Sequence, residues 1–324
     1  FEYGITLLQE KTTHKNIIGD IAAAHTLQAE NNTWPTTDEN DHLTNAMAEV
    51  NRYDGIIDNE AELKASAAVS YNVEGRRYRL AQDITVTENV GSVAYNLDGN
   101  GKQISTSAQI FSAITGQLHD FTVYVTNNLK SVPDMANATD AMAPLAYEVH
   151  GESAEISHVN VKTAKDVTIT ASNPAGLVVW AWGGATIRGC EAQVSLYADV
   201  EASITQGRKF AGGIVSTVSK ATVTQCVLHT GSTFEGTASS IIYYGGVVRG
   251  IEKKEGSGFD AELTITDCTS FVTFTKDTHY GAILGNAQIG VNNATSKDCQ
   301  GNWWSSDSYT SRSEERRVGK ECRS

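Results

Sequence analysis

Carboxylates, aromatic rings and thiols recur in this chain at spacings that could support three kinds of chemistry. Asp267 and Asp298 each stand immediately before a cysteine in two related segments, LTITDC (263–268) and ATSKDC (294–299). If those segments stack, the acids face outward, one place from an inward cysteine. Two carboxylates so placed repel, and one titrates high unless a cation such as calcium sits between them. Paired acids are also what glycoside hydrolysis requires. The simpler reading is a solvated face carrying two unrelated acids. Arg188, Arg249 and Lys297 could supply a lyase base, but no motif sets any of them beside an acid cluster.

The aromatic candidates are Trp180 and Trp182, whose spacing of two puts both on one side of a strand. Tyr243 and Tyr244 precede Gly245-Gly246, and Trp303-Trp304 follow the last repeat. Aromatic platforms on a β-surface suit stacking on sugar rings; loop packing and end-capping are the alternatives.

Cys190, Cys226, Cys268 and Cys299 close four related segments and would form one inward ladder. A stack of buried thiols fills a core as small hydrophobes do. Disulfides between neighbouring repeats and a metal site are the other readings, and no C-x-x-C pair supports zinc. The turn Gly99-Asn100-Gly101-Lys102 is not a phosphate loop, because Asn96 stands where that motif needs glycine. No G-x-S-x-G elbow is present, and of the histidines only His158 falls on the repeat frame.

The elements that must position these residues are repeats. The segments AEISHV (154–159), ATIRGC (185–190), ATVTQC (221–226), LTITDC and ATSKDC share a pattern, with GQLHDF (116–121) as an earlier copy. A glycine-led apolar strand precedes the last four copies, at Gly176, Gly213, Gly246 and Gly281. The closing cysteines are 36, 42 and 31 residues apart and the glycines 37, 33 and 35. A constant strand motif at irregular spacing is what stacked repeats with variable loops produce. The period leaves open whether each repeat is one turn with a long loop or nearly two turns. An antiparallel sandwich would need hairpin signals every 8–12 residues and fits poorly.

Ahead of the repeats, Asp58–Val69 reads as a helix capped by Asp58 or Asn59, with Glu60 and Glu62 in its first turn. Short β-runs follow at 77–84, 93–97, 104–111 and 118–125. The expected fold is all-β, a right-handed parallel β-helix with a short N-terminal capping helix over 58–311. Residues 1–57 read as a linker or the end of a preceding domain.

The net charge is −13. Residues 312–324 (RSEERRVGKECRS) resemble the translation of a sequencing adapter and are expected to be an artefactual tail. Without its five Lys/Arg and three Asp/Glu the charge becomes −15. Such a surface disfavours nucleic acid and tolerates neutral or cationic partners. No apolar run approaches the roughly 20 residues a membrane span needs. The chain is expected to be a fragment whose frame ends near Ser311.

The run NEAELKASAA, then YRLAQDITV, YNLDGNGKQIS and AQIFSAITGQLHDFTVYV, resembles the entry module of bacterial surface β-helix proteins with GLUG-type repeats, within the pectate-lyase-like right-handed β-helix superfamily. The later GGIV…ATVTQC and GGVV…LTITDC segments are similar to their repeating units. The resemblance covers about 58–299 and is specific for architecture rather than activity; Phe111-Ser-Ala-Ile departs from it by replacing a glycine-led strand. It implies an extracellular or cell-surface location, typical of gut Bacteroidetes, with a lipoprotein-type anchor expected ahead of Phe1. The expected function is a non-enzymatic adhesin-like or glycan-binding module, with glycans or host-surface molecules as partners. A polysaccharide lyase or glycoside hydrolase is the alternative, and a structural spacer the second. No cofactor is implied beyond calcium at the acid pair.

Overall fold

Short β-branched runs cannot bury an apolar face alone and must pair with like runs. The computed structural model describes residues 53–131, 141–198, 208–236, 241–252, 261–274, 279–286, 295–297 and 303–304. These residues are mostly strands in parallel sheets, with one helix among them.

The main sheet runs in chain order through Gly55–Ile57, Arg77–Leu80, Asn96–Asp98, Gln117–Val125, Glu155–Thr163, Ala185–Arg188, Lys220–Thr224, Glu262–Thr266 and Thr295–Lys297. A second sheet holds Gly91–Val93, Phe111–Ile114, Ala146–His150, Val178–Trp182, Val215–Val218, Val248–Ile251 and Leu284–Asn286. A third begins at Leu129–Lys130 and continues through Ile169–Ala171, Ser195–Ala198, Thr233–Gly236 and Thr273–Phe274. Each strand pairs in parallel with its counterpart in the next repeat, and the chain visits second, main and third sheet in turn before returning.

The register builds columns of like side chains. Tyr78, Leu97, Leu118, Ile156, Ile187, Val223 and Ile265 stack in one buried column. The steps are 19 and 21 residues at first, then 38, 31, 36 and 42. The long period is therefore one set of strands with inserted chain. Part of the insertion forms a fourth parallel sheet of Arg208–Gly212, Ile241–Gly245 and His279–Gly281, packed against the second.

Two glycine columns mark the corner between the fourth and second sheets. A Cβ on Gly176, Gly213 or Gly246 would lie 1.8, 1.9 or 1.8 Å from the carbonyl oxygen of Gly213, Gly246 or Ala282, so backbone fills that space. The column thus continues into Ala282. Gly281 pairs with Gly245 and so belongs beside Gly212, one place off the expected glycine alignment.

The helix spans Glu60–Ser66, shorter than expected. Asn59 is its cap, accepting from the Glu62 backbone N–H at 3.0 Å, while Glu62 Oε2 accepts from the Asp58 N–H at 2.7 Å. The Ser66 hydroxyl donates to the Leu63 carbonyl (2.7 Å), a local bond that competes with another helical turn. The helix buries Leu63 and packs on Gly55–Ile57 and Ile84–Val86. Among the described residues the first strand of the main sheet is Gly55–Ile57. Among the described residues no helix is long and apolar enough to cross a membrane.

Candidate binding groove

The outer face of the second sheet carries the aromatic residues. In Val178–Trp182 the side chain of Ala181 is buried while Trp180 and Trp182 are half-exposed on the opposite side. Trp180 pairs in register with Glu148 and Trp182 with His150. The Trp182 indole N–H donates to Glu148 Oε2 at 3.1 Å. Its ring stacks on His150, with centroids 4.3 Å apart and planes 15° apart, and His150 Nε2 lies 3.7 Å from Glu148 Oε1. Trp180 packs with Tyr147 against Ala143, Ala175 and Val179. Both indoles are therefore held by neighbours while keeping part of their surface open.

Beside this strip lies an open groove of about 620 Å³, lined in part by Asn89, Gln109, Ser112, Met142, Tyr147 and Glu148. Its polar groups are set by bonds to the sheet. Asn89 Oδ1 accepts from the Gly91 N–H (2.9 Å) and the Ser112 hydroxyl (2.8 Å), and its amide donates to the Gln109 carbonyl (3.1 Å). The Gln109 amide donates to the Phe111 carbonyl at 3.1 Å. Glu148 is the one carboxylate among the described residues of the lining. The arrangement can accept and donate hydrogen bonds to hydroxyls and stack an apolar ring face; its described residues lack the pair of acids that glycoside hydrolysis uses.

The thiols stack as one column. Cys190, Cys226 and Cys268 are buried thiols. The Sγ atoms of Cys226 and Cys268 lie 3.3 Å from the carbonyl two residues back, and that of Cys190 lies 3.5 Å from its counterpart. Contact with Cys190, then burial, pushes the Cys226 thiol well up, against an opposing contribution from Cys268. Contact with Cys226, then burial, raises the Cys268 thiol. Such thiols stay protonated and inert.

Asp267 faces outward with a left-handed backbone (φ 54°), above Gln225 rather than another acid. Asp298 and Cys299 lie outside the described residues. The strand before them pairs Ser296 with Leu263 and Lys297 with Thr264, two residues off the LTITDC–ATSKDC alignment. Tyr244 is buried against Phe234, with centroids 5.6 Å apart, so it offers no platform. Tyr243 lies on the fourth sheet opposite Phe210 and His279. Trp303 and Trp304 extend the main sheet beside Thr269 and Ser270. Arg188 pairs with Glu155 at 3.0 Å on the surface. Arg249 is 1 % exposed, donates to the Thr217 hydroxyl, and lies 3.5 Å from Glu252; burial pulls its pKa down to about 10. A group so enclosed cannot reach a substrate as a lyase base.

Sequence reasoning missed Tyr147, Glu148 and His150. The available signal was alternation: Glu148 and His150 have the same spacing of two as Trp180 and Trp182. No protein-family model matches the chain, and no curated protein matches it.

Proposed function

We propose that the chain is an extracellular or cell-surface module that binds neutral glycans without turning them over, built as a right-handed parallel β-helix. The winding is supported by the strand order: all three long sheets run through their repeats consecutively and in parallel. Parallel strands joined through a crossover are almost always right-handed. The resemblance of 58–299 to GLUG-type surface proteins agrees with that architecture and supplies the expected location.

The observation that carries the binding reading is the aromatic–polar strip of Trp180, Trp182, His150 and Glu148 beside the groove. Sugar rings offer apolar C–H faces for indoles and hydroxyls for carboxylate and amide groups. The net charge of −13 opposes sulfated or uronate polymers and leaves neutral glycans as the favoured class.

The test is a neutral-glycan array together with electrophoresis through polysaccharide gels, run on the full chain and on Trp182→Ala. Binding that Trp182→Ala abolishes, with no reducing-end or unsaturated products, is the expected result. Product formation would turn the reading to a lyase or hydrolase. Absence of any bound glycan would leave a structural spacer.

A further inference from the structure

We propose that His119, Asp120 and His158, with Asp98 alongside, bind one divalent transition-metal ion, zinc being the simplest, on the outer face of the main sheet. This site is on a different sheet from the groove and does not depend on the glycan reading.

The geometry begins with a break in strand alternation. Asp120 and His158 have left-handed backbones, with φ of 60° and 52°. At each, two consecutive residues therefore sit between core residues: His119 and Asp120 between Leu118 and Phe121, and Ser157, itself buried, with His158 between Ile156 and Val159. A regular strand would send one of each pair inward. The register places His119 opposite Ser157 and Phe121 opposite Val159, so Asp120 and His158 are neighbours across one strand spacing. Asp98 pairs with His119 from the other side.

The ligand atoms of Asp98, His119 and Asp120 already converge, and His158 approaches them through Asp120. Asp120 Oδ2 lies 2.8 Å from His119 Nδ1, and Asp120 Oδ1 lies 3.5 Å from His158 Nδ1. Asp98, His119 and Asp120 each offer a ligand atom within 4.8 Å of the others. Ligands bound at zinc–N and zinc–O lengths around a tetrahedral ion are about 3.4 Å apart, so Asp98, His119 and Asp120 need only small rotations, while His158, already beside Asp120, must turn toward His119 to join them. All three proposed first ligands reach solvent, their side chains being 35 %, 51 % and 57 % exposed in sequence order.

The surroundings hold the groups in place. A Cβ at Gly189, the next residue up the column, would lie 2.7 Å from His158 Cδ2, so the imidazole lies over a glycine that leaves it room. Asp98 is oriented by the Asn100 N–H (2.7 Å), by Arg79 at 3.8 Å and by the Tyr53 hydroxyl. Outer partners of this kind fix the orientation of metal-binding groups. Two imidazoles with carboxylates suit zinc, cobalt, nickel or copper; calcium prefers oxygen alone.

The experiment is calorimetric titration of the metal-stripped full chain with Zn2+, and separately with Ca2+. The variants are His119→Ala, Asp120→Asn and His158→Asn, with Asp267→Asn as control from the same outward column. Asparagine is used where the backbone is left-handed because it tolerates that region. One Zn2+ per chain is expected, weakened roughly tenfold or more in each of the three variants and unchanged in Asp267→Asn. Cu2+ electron paramagnetic resonance should show two coordinating imidazole nitrogens in the wild type, a readout that needs no variant to fold. No zinc binding overturns the proposal. So do variants that bind like wild type, calcium binding as tight as zinc, or fewer than two imidazole nitrogens on copper.

Discussion

The second sheet is built twice from the same repeat, and its two halves meet different fates. Each of Gly91–Val93, Phe111–Ile114, Ala146–His150 and Val178–Trp182 keeps exposed or half-exposed residues beside its buried ones. Over Val215–Val218 and Val248–Ile251 every residue is buried. What differs is the chain that precedes each strand. In the later repeats it forms the fourth sheet and closes on the second at a glycine corner. Before Val178 the corresponding chain is Asn173–Pro174, a two-residue strand paired with Ala141–Met142, and Pro174 has no N–H to extend a ladder. One frame thus gives an open strip in one half and a closed interior in the other, according to what is inserted ahead of the corner.

The closed half should break most easily at that corner. A methyl on Gly246 would sit 1.8 Å from the Ala282 carbonyl oxygen and 2.3 Å from the Ser270 hydroxyl. The backbone there cannot move without parting the ladder. Gly246→Ala should cost more than about 4 kcal/mol, seen in chemical denaturation or as loss of folded protein. In the open half Gly151 has φ 110°, and a methyl there would meet nothing within 4 Å. Gly151→Ala should therefore cost only about 1 kcal/mol of backbone strain. Equal losses would mean that the corner is not what closes the later repeats.

Arg249 gives the second test of the closed half. Burial lowers its folded pKa from the ordinary guanidinium value to about 10. Below pH 10 both folded and unfolded chains carry the charge, and the burial penalty is present in full. Above pH 10 the folded chain releases the proton before the unfolded one does, so this group's contribution to stability rises with pH. Arg249→Met removes the charge, and its partner Glu252 is 34 % exposed and can return to water. The variant should be as stable as wild type or up to about 3 kcal/mol more stable at pH 7. That advantage should shrink above pH 10 in melts followed by circular dichroism. A loss of stability at pH 7 would show that the buried cation is a net stabiliser.

On the open half the same kind of truncation should spare the fold and remove the function. Trp182 is half-exposed, and its contacts include a stacked ring and a hydrogen bond rather than an enclosing core. Trp182→Ala should lower stability by about 1–2 kcal/mol while abolishing retardation in neutral-polysaccharide gels. A variant that keeps full binding would move the ligand away from this strip.

How much of this was readable beforehand follows from what each feature asks of its residues. The column of Cys190, Cys226 and Cys268 was legible because an inward position tolerates few residue types. The Asn59 cap was legible as one of two choices. The exposed left-handed position was not: it is filled in turn by Asp120, His158, Gly189, Gln225 and Asp267, residues with no common chemistry. Without that backbone turn, alternation predicts that either His119 or Asp120 points inward, and the cluster disappears. The groove was hidden for another reason, since Asn89, Gln109 and Glu148 come from three separate strands or turns. The fourth sheet was read as loop because its strands lie in inserted chain whose length changes from repeat to repeat.

The smallest effect is expected where the sequence alone pointed first. Asp267 belongs to the same outward column as Asp120, but its described neighbour below is Gln225, an amide that neither repels nor ligates strongly. With no second acid or imidazole beside it among the described residues, the carboxylate gains little from its position. Asparagine keeps the side-chain shape and tolerates the φ of 54°. Asp267→Asn should therefore change stability by less than about 0.5 kcal/mol and leave glycan retardation as in wild type. A clear loss of binding in that variant would restore the acid column as the functional surface and demote the aromatic strip, because the two sit on different sheets and cannot share one small ligand.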